Sequence, residues 1–332
     1  MSLGKLAITL PCPGLSTREC VELAVKAEQE WGYPAIWLAE VSGPDSFSLA
    51  GAIAQATSTI EIGTAIVPVY NRTPAVLAMT AATLADLSEG RFKLGLGTSS
   101  HAITEEWNGI PLARPLARVR ETVTVLRQAL AGEKTSLEGE TLRSQGFRLG
   151  VRSKESAPVY LAALREKMLE LAGEIGDGLI LNLFPVSALP KILAAHRAGG
   201  ARVGRDVSGQ EVVCRFQVGL GSNVAASRDL VRLAFGGYVA QPVYNAYFRW
   251  CGFEKEAQAV ADAFARRDRA ATAAAMTDEL IDRIAILGEG DACREQIAGF
   301  VAGGVTTPVL SPLAGDRPGV ERVFAELAPA AA

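Results

Sequence analysis

The chain has 332 residues, 49% of them hydrophobic and 21% charged, with a formal net charge of −3. That length and apolar content suit one large α/β domain or two ordinary ones, and the slight acidity leaves no basic footprint for nucleic acid. Five scattered cysteines with no CxxC pair, and two histidines with no HxH or HExxH, speak against a disulfide frame and a zinc hydrolase. The chain order begins with an apolar strand at 5–10, closed by Pro11-Cys12-Pro13-Gly14. This opening has no basic leader or cleavable apolar core, and no later run approaches the ~20 apolar residues of a bilayer span. A cytoplasmic protein with reduced thiols, no metal and no membrane partner is the expectation.

Ser16-Thr17-Arg18-Glu19 is a capping box opening a helix that ends near Trp31-Gly32. A second strand at 35–39 leads through a loop to a helix begun by Asp45, with Leu49, Ala50, Ile53 and Ala54 on its apolar face. The third strand spans 60–67. Pro74 suits the first turn of the next helix, striped by Leu77, Ala81 and Leu84, and a fourth strand covers 91–96. Val119, Val123, Leu126 and Leu130 mark a helix by their spacing. Residues 131–156 are polar and aperiodic and read as loops or a small hairpin. Strands at 158–162, 178–183 and 211–219 follow, the first two each leading to a helix. An Ala-rich helical insertion is expected at 222–287, then a helix at 291–302, the last strand at 306–310 and a closing helix at 320–327.

Eight strands of this length, alternating with helices, predict parallel pairing. The count favours a (β/α)8 barrel, the TIM-barrel fold, over a doubly wound open sheet. No repeat, linker or composition shift divides the chain, so residues 1–332 read as a single domain with an elaborated rim. In such a barrel the chemistry gathers where strands end. Those ends offer Glu40, Ala65 to Pro68, Thr98 to His101, Ala163 to Arg165, Asn182 and Ser311. This mostly neutral or apolar set suits a flat, partly apolar ligand better than hydrolysis.

Each candidate has a plain alternative. Glu40 either holds a ligand's polar edge or relays a proton, or else it is a salt-bridged acid. Gly95-x-Gly97 lacks the third glycine of a dinucleotide fingerprint and could simply allow close packing, while Thr98 and Ser99 can donate hydroxyls. His101 is the sole histidine placed for acid–base work; a loop histidine without that role is the alternative. His196 lies near a helix end, where a partly charged imidazole would meet the helix dipole. Arg165 and Lys167 open a helix and could receive a phosphate, or form a solvated cluster with Glu166. The aromatics of 238–250 are either core of the insertion or the roof of a pocket.

Several segments together resemble the luciferase-like monooxygenase superfamily, and in particular its coenzyme F420-dependent oxidoreductases. They are Ile36-Trp37-Leu38-Ala39-Glu40, Gly63-Thr64-Ala65-Ile66-Val67-Pro68, Arg72-Thr73-Pro74, Thr83 to Phe92, Leu94 to Ser99, and Tyr160 to Leu164 with Lys167 to Gly173. The resemblance implies a barrel, usually dimeric, binding a deazaflavin or flavin across its strand ends, with a small-molecule substrate. It implies a non-proline cis peptide at Ala65–Ile66 behind the ring. It implies cofactor contacts from Ala39, Glu40, Ala65, Ile66, Val67, Thr98, Ser99, Ser100, Leu164, Arg165 and Lys167, with Glu40 and His101 facing ring or substrate. The expected cofactor is coenzyme F420, with FMN in an oxygen-using monooxygenase or a non-catalytic binder as alternatives. The sequence departs from relatives in having Glu40-Val41 where several carry Asp-His, and Arg165-Glu166 where Gly-Pro is common.

Overall fold

The computed structural model describes residues 2–150, 154–155 and 157–329. The first half runs β1 (Ala7–Leu10), α1 (Thr17–Gln29), β2 (Ala35–Leu38), α2 (Ser46–Ala56), β3 (Glu61–Thr64), β4 (Val67–Pro68), α3 (Pro74–Leu87), β5 (Phe92–Gly97) and α4 (Pro115–Leu130). A hairpin of β6 (Ser136–Glu138) and β7 (Arg143–Gln145) follows, then β8 (Val159–Ala162), α5 (Glu166–Ile175), β9 (Gly178–Asn182), α6 (Leu189–Arg202) and β10 (Glu211–Leu220). Helices α7 (Val224–Ala240), α8 (Pro242–Trp250), α9 (Glu254–Ala265), α10 (Arg269–Ala275) and α11 (Asp278–Ile284) form the insertion. The chain ends with β11 (Ala285–Gly288), α12 (Gly290–Ala302), β12 (Thr307–Pro312) and α13 (Arg317–Glu326).

The parallel strands close in the order β1-β2-β3-β5-β8-β9-β10-β12, and β12 returns to β1. This is the expected eight-stranded barrel. Most barrel strands are buried along nearly their whole length, because helices cover one side and the barrel lumen the other. Trp37 and Tyr160 stack at 5.4 Å within the lumen beside Ile180, Val213 and Val309. A larger shell of Leu, Ile, Val and Phe fills the space between strands and helices; each such side chain contributes about 1.5–3 kcal/mol on burial.

Local signals explain the helix starts. Ser16 and Glu19 form the expected reciprocal cap on α1. Asp45 accepts the Ser48 N–H at 2.8 Å to begin α2, and Pro74 occupies the first turn of α3.

The third strand breaks where the family resemblance implies: β3 stops at Thr64, the Ala65–Ile66 peptide is cis, and β4 resumes the pairing to β5. Two expectations need correction. The insertion is not helical to its end, because Ala285–Gly288 forms β11 and continues the edge of β10 beyond the point where β9 stops. His196 lies inside α6, buried and neutral; burial lowers its pKa to about 4, with Gln210 acting in the opposite direction. Of the excursion at 131–156, the hairpin is present, and residues 151–153 and 156 lie outside the described residues.

Candidate active site

The carboxyl ends of the strands surround a cavity of about 620 Å³. Its base is made by Ala65 and Ile66 at the break in the third strand, with Gly97, Ala162 and Ile180 beside them. The two glycines of β5 have different tasks. A Cβ on Gly95 would lie 1.7 Å from the Thr64 carbonyl, and Thr64 Oγ1 both accepts from Gly95 N and donates to Gly95 O at 2.8 Å. That glycine serves strand packing. Gly97 lines the cavity, and a Cβ there would meet Ile66 at 3.1 Å and Ala162 at 3.2 Å.

Thr98, Ser99 and Ser100 line the cavity where β5 ends. Ser99 has φ of 63°, in the left-handed region that costs a non-glycine residue on the order of 1–3 kcal/mol. Leu164, Arg165, Glu166 and Lys167 form another part of the wall. Arg165 is the N-cap of α5 and makes no side-chain cap, so the Glu166 and Lys167 N–H groups have no capping side chain beside two exposed cations, while Met168 N–H donates to Arg165 O.

Ala39 and Glu40 follow β2 and also line the cavity. The Glu40 carboxylate is already occupied. Arg72 donates to both its oxygens at 2.6 and 3.0 Å, and Ser46 Oγ donates at 2.7 Å. Arg72 also pairs with Asp45 and lies over the Phe47 ring at 4.7 Å. These contacts engage both carboxylate oxygens and fix the direction of the Glu40 side chain.

Two candidates from the sequence stand apart. His101 begins a short π-helical turn outside the cavity lining, with Nδ1 3.2 Å from Glu105. Val67 is fully buried in the shell between strands and helices. Cys12 is likewise buried; burial pushes its thiol up to about 12, Cys20 adds to this and Arg215 opposes it. A thiol so protonated is no nucleophile.

Sequence reasoning missed Arg215, which lines the cavity from β10, and left open Tyr238, Tyr244 and Trp250, which line it from α7 and α8. Tyr247 and Phe248 are core, so the aromatic run divides between both roles. The signal for Arg215 was present: a cation within Val212-Val213-Cys214-Arg215-Phe216, an otherwise apolar strand.

The third strand of the barrel thus breaks beneath a hydroxyl-rimmed cavity over the strand ends. The sequence model of luciferase-like monooxygenases matches residues 6–307, and the chain is a member of that family. It is 29% identical over 308 residues to a 5,10-methylenetetrahydromethanopterin reductase of Archaeoglobus fulgidus, covering 90% of this chain and 91% of that protein. It is 30% identical over 245 residues to an F420-dependent glucose-6-phosphate dehydrogenase of Rhodococcus erythropolis, covering 69% of this chain and 72% of that one. Among solved structures, the coenzyme F420-dependent tetrahydromethanopterin reductase of Methanopyrus kandleri superposes with a TM-score of 0.81 and 22% identity across 99% of both chains. That likeness shows the shared fold.

Proposed function

We propose that this protein is a coenzyme F420-dependent oxidoreductase that transfers hydride between the deazaflavin and a small organic substrate. The supporting observation is the convergence on one cavity of the Ala65–Ile66 break, the Thr98–Ser100 hydroxyls and the amino end of α5. Relatives named for F420 chemistry span most of the chain, which favours the deazaflavin over FMN.

The residues fit such a group. Ala65, Ile66, Gly97 and Ala162 provide an apolar base for a flat ring, narrow enough that a Cβ on Gly97 would intrude. Thr98, Ser99 and Ser100 supply hydroxyls for its polar edge. The open N–H groups of α5, with Arg165 and Lys167, suit a phosphate in the cofactor's tail; Glu166 works against it. Ala39 and Leu164 complete the apolar contacts.

When bound, coenzyme F420 supplies two-electron hydride chemistry, while the protein orients and shields the ring. Glu40, fixed by Arg72 and Ser46, acts as a hydrogen-bond acceptor toward the ring or substrate and holds their orientation. His101 has no part in this arrangement, since its imidazole pairs with Glu105 outside the cavity. The Tyr238 and Tyr244 hydroxyls are the donors on the substrate side. The same reading carries a cytoplasmic homodimer, which light scattering of the purified protein tests for its oligomeric part.

The deciding experiment titrates the protein separately with coenzyme F420 and FMN at matched salt, following ring fluorescence. Micromolar affinity for F420, and weaker binding of FMN, is expected. Preference for FMN would redirect the assignment to oxygen chemistry, and binding of neither would remove the enzyme reading.

A further inference from the structure

We propose that the substrate is an organic oxyanion, a carboxylate or a phosphate ester, whose charged group is received by Arg215 on the β9–β10–β12 side of the cavity. The proposal rests on the reading of this cavity as a hydride-transfer site and adds the chemical class of the second reactant.

Arg215 is a permanent cation set in a barrel strand, in register with Asn182 of β9 and Val309 of β12. Its Nη2 donates to Ser311 Oγ at 3.0 Å, and its Nε is buried without a partner. Among the described residues no carboxylate pairs with it. Glu40, on the same cavity, is taken by Arg72, and Glu166 sits exposed beside Arg165 and Lys167 on α5. The groups that do surround Arg215 are the neutral thiol of Cys12 and the phenols of Tyr238 and Tyr244. Burial raises the Tyr244 phenol to about 12, helped by Tyr238 and opposed by Arg215, so it stays a protonated donor.

The polar contacts continue as a chain of donors. Ser311 Oγ reaches Gln217 Oε1 at 3.3 Å, and the Gln217 amide nitrogen is itself buried without a partner. A buried charge is normally paired, because removing it from water is costly. Here the unmatched cation opens onto a cavity beside the Tyr238 and Tyr244 hydroxyls, with Asn182 Oδ1 an unpartnered acceptor on the neighbouring strand. An oxyanion supplies what is lacking, and the guanidinium fork can hold two of its oxygens. Tyr244, Val243 and Trp250 would pack the apolar body of the same molecule.

The cationic end of α5 lines the same cavity but is more exposed. Arg165 and Lys167 are exposed at the rim and suit a solvated phosphate tail, whereas Arg215 lies beneath the α7–α8 segment.

The test titrates wild-type protein and Arg215→Met with benzoate, phenyl phosphate and the neutral benzamide, reading melting temperature, and with coenzyme F420 by fluorescence. Benzoate or phenyl phosphate is expected to stabilise the wild type saturably, and benzamide not. In Arg215→Met the anion affinity falls about tenfold or more, while F420 affinity stays within about twofold, as for an independent contact. Stronger binding of benzoate assigns a carboxylate substrate, and stronger binding of phenyl phosphate a phosphate ester. Equal stabilisation by benzamide, unchanged anion affinity in the variant, or a parallel loss of F420 would each overturn the proposal; the last would make Arg215 a cofactor residue. If Arg215→Met does not fold, Arg215→Lys decides by the same readouts, since it keeps the charge but loses the fork. A wild type that binds benzoate but not F420 would retire the hydride-transfer reading and leave the anion site standing.

Discussion

At the amino-terminal mouth of the barrel Lys93 sits between Glu61 and Glu211, at 2.5 and 2.6 Å, and Tyr160 donates to Glu211 at 2.7 Å. Thr307 donates to Glu211 as well, and Lys5 pairs with Glu61. At the carboxyl-terminal mouth, Arg215 Nε, Gln217 Nε2 and Asn182 Oδ1 are buried without partners. The charged groups at one end thus pair among themselves, with Trp37 Nε1 the unpartnered exception at the level of Lys93, whereas the other end keeps a guanidinium nitrogen and two amide atoms without partners. A completed network holds the fold, while an incomplete one has capacity left for a ligand.

Substitutions at the two mouths should therefore move stability in opposite directions. Glu211→Gln leaves Lys93 half-paired and should cost about 3 kcal/mol in denaturant unfolding, with F420 affinity unchanged. Arg215→Met removes a half-buried charge that lacks a carboxylate partner and should gain up to about 1 kcal/mol in the same measurement. A loss of stability comparable to that of Glu211→Gln would break the comparison.

Acid sharpens it. Burial pushes the Glu211 carboxyl up, but hydrogen bonds from Lys93 and Thr307 outweigh this and hold its pKa down at about 2. A depressed carboxylate contributes stability that is full above its ordinary pKa of 4.5 and lost as pH falls from there towards 2. His196 also has a depressed pKa. It is neutral in both folded and unfolded states above its ordinary value of 6.5, and its contribution is lost as pH falls from 6.5 to about 4. Melting temperature should decline in these two stages, and Glu211→Gln should flatten the lower one.

Smaller effects are expected at the rim. Arg165→Ala and Lys167→Ala should each weaken F420 by about three- to tenfold without changing the melting temperature, since both side chains are exposed. Fluorescence titration at two salt concentrations checks this, because a phosphate contact weakens as salt rises. Ser99→Gly should gain up to about 1 kcal/mol by relieving the positive φ, and lose F420 affinity only a few-fold through the missing hydroxyl. An unchanged stability would show that neighbouring contacts, not the residue type, set that turn.

Much of the scaffold was legible because its signals are local. The capping box at Ser16 and Glu19, the Asp45 cap and the apolar strand runs each lie within a few residues. The cavity wall was legible through Thr98 to Ser100 and Leu164 to Lys167, because a parallel barrel delivers all its strand ends to one mouth. His101 lies off the cavity lining because position after a strand does not fix side-chain direction, and the turn beginning there carries it to Glu105. The terminal strand of the insertion was missed because Ala285-Ile286-Leu287 is too short for periodicity to separate strand from helix.

The sequence by itself determined the alternation of strands and helices, the barrel closure that this alternation favours, and the position of the break at Ala65–Ile66 through family resemblance. Only the tertiary structure decided which charges are paired. Glu40 and Arg72 lie 32 positions apart and Arg215 and Ser311 96 apart, so their contacts depend on strand order and register. The aromatic segment of α7 and α8 likewise became core or cavity wall only once its helices had packed on the barrel. Periodicity is a property of neighbouring residues, whereas electrostatic satisfaction depends on everything within a few ångströms.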